Sequence, residues 1–108
     1  MVLTQNISNK KNRRKRLIDQ IKLTAQACLP SDTEVFIFGS QANKEELITA
    51  DIDIGLLSKE KIAYAYFSDF IMMLEALPAF FAYDVVDFNT VSDSFKKIAL
   101  KNIEYIIR

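Results

Sequence analysis

Asp51 and Asp53 stand two positions apart in an otherwise apolar run, Asp51-Ile52-Asp53-Ile54-Gly55-Leu56. If this run is a strand, alternation points both carboxylates from one face, with their backbones roughly 6–7 Å apart. Each anion opposes ionisation of the other, and partial burial adds a desolvation cost, so a positive charge is needed to keep both ionised. A divalent cation is the simplest candidate. An edge strand with a solvated polar face would carry the same letters, so the neighbours matter. Gly39-Ser40 follows a β-branched and aromatic run. Glycine there lets the backbone approach a ligand, and amides at the start of a following helix offer an anion site with the serine hydroxyl as a further donor. A Gly-Ser turn also occurs as a mere helix cap. A third carboxylate on another strand comes from Asp84 or Asp87, within Tyr83-Asp84-Val85-Val86-Asp87-Phe88. Mg²⁺ prefers hard oxygen ligands, and a pair of Mg²⁺ ions bridging a triphosphate can be held by three carboxylates together with water and phosphate oxygens. The chain contains no histidine, which removes the commonest general base and transition-metal ligand and leaves oxygen-ligand chemistry.

These groups need elements to hold them. Leu17, Ile18, Ile21, Thr24, Ala25 and Cys28 recur at three- and four-residue spacings, which predicts an amphipathic helix that starts inside a basic run and is ended by Pro30. Ser31-Asp32 makes a turn into a strand at Val35-Phe36-Ile37-Phe38, ended by Gly39. Ser40 is expected to cap a short helix through about Leu47, after which Ile48-Thr49-Ala50 leads into the strand 51–56. Ser58 is a suitable N-cap for a long helix from Lys59 to Leu77, with Ile62, Tyr66, Phe70, Met73 or Leu74, and Leu77 on its buried side and Pro78 as its stop. A third strand spans Tyr83 to Phe88, and Ser92 or Thr90 can cap a last helix carrying Phe95, Ile98 and Ala99. Residues 103–107 read as either strand or frayed helix. The order α-β-α-β-α-β-α implies an α/β (α+β) domain, a small mixed β-sheet flanked by helices.

The bulk composition sets limits on this reading. With 108 residues, half of them hydrophobic, the chain suffices for a single compact domain, 1–108, and not for two. Net charge is zero but uneven: residues 1–16 carry +6, from Lys10, Lys11, Arg13, Arg14, Lys15 and Arg16, against −6 in the rest. Residues 1–12 are expected to be a flexible basic arm, and such a run is most often simply solvated. Direct nucleic-acid binding is not expected from it. Cys28, the lone cysteine, lies on the apolar side of the first helix and reads as a buried, inert thiol. No signal peptide or membrane span is read from the sequence, and a cytoplasmic location is expected.

The run Gly39-Ser40, ten intervening residues, Asp51-Ile52-Asp53 resembles the hallmark of the polymerase-β-like nucleotidyltransferase superfamily. The tail from Tyr83 to Thr90 and on to Lys97 looks like the third-carboxylate strand and closing helix of its short members, the minimal nucleotidyltransferases of the MntA type, which are antitoxins and adenylyltransferases. The likeness spans about residues 12–106 and implies the nucleotidyltransferase fold. By that resemblance Gly39 and Ser40 bind the triphosphate, and Asp51 and Asp53 are catalytic and hold two Mg²⁺. The third catalytic and metal-binding carboxylate opens the Asp-apolar-apolar-Asp stretch, which selects Asp84. Asp87, on the opposite face by strand alternation, is the alternative. Where the family has Arg-Ala-Arg-Gly after Gly-Ser, this chain has Gln41-Ala42-Asn43-Lys44. Lys44 is a candidate replacement cation for nucleotide binding, though a solvated helix-end lysine reads the same way.

The resemblance implies an enzyme that transfers a nucleotidyl group, AMP from ATP, to a hydroxyl of a partner protein. The expected step is in-line attack on the α-phosphate with release of pyrophosphate. The expected partner is a small helical HEPN-type protein, the toxin of a HEPN/MNT toxin–antitoxin pair, and a homo-oligomer is also compatible. Tyr64, Phe80 and Phe81 are candidate contacts for that partner, although such aromatics are more often core. Two other readings remain: a non-catalytic antitoxin module that keeps the fold and binds its partner, and an aminoglycoside-type small-molecule nucleotidyltransferase, whose larger relatives have an added helical domain.

Overall fold

The computed structural model describes residues 2–45, 51–77 and 81–108, with side chains from residue 12 onward. Leu47, the 48–50 segment, Pro78 and Phe80 therefore lie outside the described residues. The elements run α1 (Val2–Cys28), β1 (Glu34–Phe38), a 3₁₀ turn (Gly39–Gln41), β2 (Asp51–Leu57), α2 (Tyr64–Glu75), β3 (Ala82–Asp87), α3 (Asp93–Ala99) and β4 (Ile103–Ile107). The strands form one mixed sheet in the order β3-β2-β1-β4. β1 is antiparallel to both β2 and β4, whereas β2 and β3 are parallel and joined by the α2 crossover.

Strand alternation divides the core into two layers. On one face Val35 and Ile37 of β1 and Ile52, Ile54 and Leu56 of β2 pack with Leu17, Ile21 and Ala25 of α1 and Phe70 and Leu74 of α2. Each helix contributes an apolar stripe, which is how an amphipathic helix closes a sheet face. On the other face Phe36, Phe38 and Phe88 form an aromatic layer that receives Ala99 and Leu100 from the α3 end. Phe95 of α3 meets Phe38 and Phe88 at ring separations of 6.3 and 5.7 Å. Gly55 makes this layer possible, since a Cβ there would lie 2.2 Å from the Phe36 ring.

Several local expectations are corrected. Residues 2–12 are helical, forming the start of α1. Ser40 does not cap a helix: the turn it belongs to spans three residues, and Phe38 occupies the N-cap position without a side-chain hydrogen bond. Ser58 does not cap α2, which starts six residues later after Ala63, because the Ser58 hydroxyl instead reaches the Glu60 carbonyl at 3.2 Å. Within α2, Tyr66 is exposed and Phe67 packs against the core in its place, while of Met73 and Leu74 it is Leu74 that is buried. The ambiguous segment 103–107 is a strand, β4. It forms because its backbone pairs with β1, a partner more than sixty positions away in sequence. Ser92 is the cap of α3, accepting the Phe95 N–H at 3.2 Å.

Candidate active site

Asp53 of β2 is the register partner of Phe38, the last residue of β1, so its carboxylate emerges beside the turn that follows. Gly39 makes that turn at φ 74°, and a Cβ there would stand 2.7 Å from Asp53 Oδ2. Glycine is thus required twice, for the left-handed backbone and for the space the carboxylate occupies. The turn closes through Ala42 N–H donating to the Gly39 carbonyl at 3.2 Å, with Ser40 exposed. On the other side of Asp53, parallel β3 places Asp84 directly in register with it. Neighbouring residues in register share a sheet face, and Asp51 two positions earlier shares it too. Asp51, Asp53 and Asp84 therefore line one edge of the face that holds the aromatic layer.

The electrostatics follow from this geometry. Asp53 is half-buried while Asp51 and Asp84 are exposed. Burial, and then the charges of Asp84 and Asp51, push the Asp53 carboxyl above its ordinary range. No hydrogen bond to the Asp53 carboxylate itself is found among the described residues. A divalent cation fits such a set, since neighbouring hard carboxylate oxygens of like charge are what Mg²⁺ binds. Among the described residues no three acidic side chains are gathered closely enough to cage a metal unaided. In phosphoryl-transfer sites Mg²⁺ binds through one or two carboxylates, with phosphate and water supplying the rest.

The other candidates lie elsewhere. Asp87 pairs with Leu56 on the opposite, helix-covered face and is buried. Its carboxylate accepts the Ile62 N–H at 3.1 Å and the Asn89 N–H at 2.9 Å, which makes it a brace for the loop entering α2. Lys44 lies toward α1, lining a shallow cavity of about 390 Å³ with Arg14, Lys15, Ile18 and Glu45. Tyr64 is 82% exposed at the start of α2, whereas Phe81 packs against the core. Cys28 is half-buried against the core, and burial and then Asp69 raise its pKa, which keeps the thiol protonated and unreactive.

The sequence reading missed the groups that hold the turn. Arg14, placed above in a solvated basic run, is 7% exposed. It forks onto Glu104 of β4, with Nη1 donating to Oε2 at 3.0 Å and Nη2 to Oε1, and its Nη2 also donates to the Gln41 carbonyl at 3.0 Å. A signal was present, because Arg14 lies three and seven positions before Leu17 and Ile21 and so continues the buried stripe. Nothing local marks Glu104.

The family profile described as polymerase beta, nucleotidyltransferase matches residues 26–108. No curated protein matches the chain significantly. Among solved structures, the chain is similar to one in a complex of a tri-AMPylated HEPN toxin with its MNT antitoxin from Shewanella oneidensis, with a TM-score of 0.66 at 18% identity over 85% of this chain and 70% of that one. A toxin–antitoxin structure with AMP-PNP gives 0.65 at 19% identity, covering 82% of this chain and 71% of the other. An MntA–HpeT toxin–antitoxin structure gives 0.66 at 17% identity over the same shares. At these identities the likeness is one of fold.

Proposed function

This chain belongs to the polymerase beta nucleotidyltransferase family and is a nucleotidyltransferase domain, and from that premise we propose that it transfers AMP from ATP, with Mg²⁺, to a hydroxyl of a partner protein. The observation that carries this reading is the placement of the Asp53 carboxylate against the Gly39 turn, with Asp84 in register beside it. A triphosphate held at that turn would be repelled by the adjacent carboxylates unless cations lay between them. Asp51, Asp53 and Asp84 are the residues that would hold Mg²⁺. When bound, the ions supply charge neutralisation on the phosphates and polarisation of the attacking hydroxyl.

The chain's own residues then have distinct tasks. Gly39 and Ser40 offer backbone and hydroxyl donors to phosphate oxygens, and the absence of a side chain at 39 keeps that approach open. Asp53, whose pKa is raised by burial and then by Asp84 and Asp51, would be held ionised by bound cations. Asp84 belongs to the edge strand β3 and is exposed, so it is accessible to an acceptor hydroxyl and can take its proton.

A small helical HEPN-type protein is the partner we infer, with this chain as the antitoxin of the pair. The toxin–antitoxin complexes that share its fold support this. Among the described residues no helix is long and apolar enough to cross a membrane, and a cytoplasmic location and a single domain belong to the same proposal. The test is to incubate the chain with ATP, Mg²⁺ and a HEPN-type protein that co-purifies with it. Label at the α-phosphate should pass to the partner, label at the γ-phosphate should not, and Asp53→Asn should abolish the transfer. Wild-type transfer by that variant would refute the proposal.

One observation favours a second reading, partner binding without catalysis: Gln41-Ala42-Asn43-Lys44 lacks the two arginines that the family's loop carries. Calorimetry separates the two, because a pure binding module would show no Mg²⁺-dependent affinity for ATP.

A further inference from the structure

The turn after Gly39 is held from outside itself. Arg14 of α1 is buried, and a buried guanidinium needs partners on every side. Its two terminal nitrogens find them in both carboxylate oxygens of Glu104 and in the carbonyl of Gln41, while its Nε has none among the described residues. Glu104 Oε1 also accepts the Asn43 N–H at 2.7 Å. Asn43 adopts φ 61°, a left-handed conformation that asparagine tolerates better than most residues. Its side-chain amide donates to Asn102 Oδ1 at 3.0 Å and to the Ile103 carbonyl at 3.1 Å. Ala42, between the two pinned residues, is buried. A helix and a strand ninety positions apart in sequence thus grip the turn at Gln41 and Asn43 and leave Ser40 facing solvent.

We propose that Arg14 and Glu104 are positioning residues for the phosphate-binding turn, holding Gly39-Ser40 in its ligand-ready conformation beside Asp53; this rests on the reading that the turn takes a nucleoside triphosphate. The arrangement substitutes for the loop arginines that this chain lacks, and it does so indirectly. Arg14 spends its charge on Glu104, so it acts through the turn and does not itself bind phosphate. Burial raises the Glu104 pKa, but hydrogen bonds from Arg14 and Asn43 and the guanidinium charge together hold it below the ordinary carboxylate value. The Glu104 carboxylate is therefore ionised at neutral pH. A turn ordered in advance spares nucleotide binding the conformational entropy of ordering it.

The experiment measures Mg²⁺–ATP affinity by calorimetry, and KM and kcat for transfer, in the full chain and in Glu104→Gln, Arg14→Lys and Asn43→Gly. Expected for Glu104→Gln and Arg14→Lys is an ATP Kd and KM weakened by about tenfold, with kcat within about twofold. Asn43→Gly leaves the ion pair in place and is expected to weaken ATP by a few-fold. It also keeps the test available if the ion-pair variants unfold. If Arg14 were instead a phosphate ligand, Glu104→Gln would free its charge and tighten ATP binding. Tighter or unchanged binding in Glu104→Gln, or in Asn43→Gly should the others not fold, overturns the proposal. Absence of Mg²⁺–ATP binding by the unaltered chain overturns the underlying reading and the proposal together.

Discussion

Asp53→Asn should make the metal-free protein more stable while destroying its activity. The charged Asp53 side chain is half-buried, receives no hydrogen bond among the described residues, and faces Asp84 directly across parallel strands. At the spacing of about 5 Å between neighbouring strands, and at the high effective dielectric suited to an exposed partner, the Asp84 repulsion is about 1 kcal/mol. Asp51 adds a smaller contribution, and solvent screening at both exposed partners keeps the total on the order of 1 kcal/mol. For a domain of this size that corresponds to a rise of about 4–8 °C in Tm. The assay is thermal unfolding followed by circular dichroism at pH 7 in EDTA, then with Mg²⁺ and ATP.

In EDTA the variant should melt above the wild type. With nucleotide at a hundred times its Kd the wild type should gain about 2.7 kcal/mol and overtake it, because the variant has lost the ligand that couples binding to stability. The pH dependence carries a sign that can be checked. Asp53 has a raised pKa, so its protonated form stabilises the fold fully below the unfolded value of 3.8, and that contribution is lost as pH rises through the folded value. The gap between variant and wild type should therefore close as pH falls. A lower Tm for Asp53→Asn in EDTA at pH 7 would refute the reasoning, because Asp53 would then be held by attraction and no cation would be needed.

Gly39→Ala should cost about 1–2 kcal/mol from its left-handed backbone, and should abolish transfer by displacing the Asp53 carboxylate that its Cβ would meet at 2.7 Å; denaturant titration and the label-transfer assay read the two effects separately. Asp87→Asn should lower stability by about 1–3 kcal/mol by weakening the bonds to Ile62 and Asn89, yet leave kcat within about twofold in the folded protein, the reverse of the pattern for Asp84→Asn. Glu104, with its lowered pKa, contributes stability that is present above its ordinary value of 4.5 and lost as pH falls through the folded value. Acid titration in an Asp53→Asn background, which removes the opposing contribution, should show this loss in the parent and not in Glu104→Gln.

Elements set by local periodicity were legible in the residues alone. The buried stripe of α1, the alternation of β2 and the end of β1 at Gly39 each follow from neighbours a few positions apart, where backbone sterics and a period of 2 or 3.6 decide which side chains share a face. That same alternation put Asp51 and Asp53 together and showed that Asp84 and Asp87 must point apart. Which of the latter two stands beside Asp53 was a matter of register between β2 and β3, and no local pattern records it. The start of α2 was misplaced because the hydroxyl of Ser58, a good cap by residue type, turns to the Glu60 carbonyl while Asn89 holds the Ser58 backbone across the loop. Residues 103–107 became a strand only because β1 offered a free edge. Arg14 left the solvated basic run for the interior only because Glu104 met it there. Sequence determines what a residue can do within its own element; packing determines which distant charge or backbone edge it meets, since ion pairs and strand register depend on distances that only the folded chain creates.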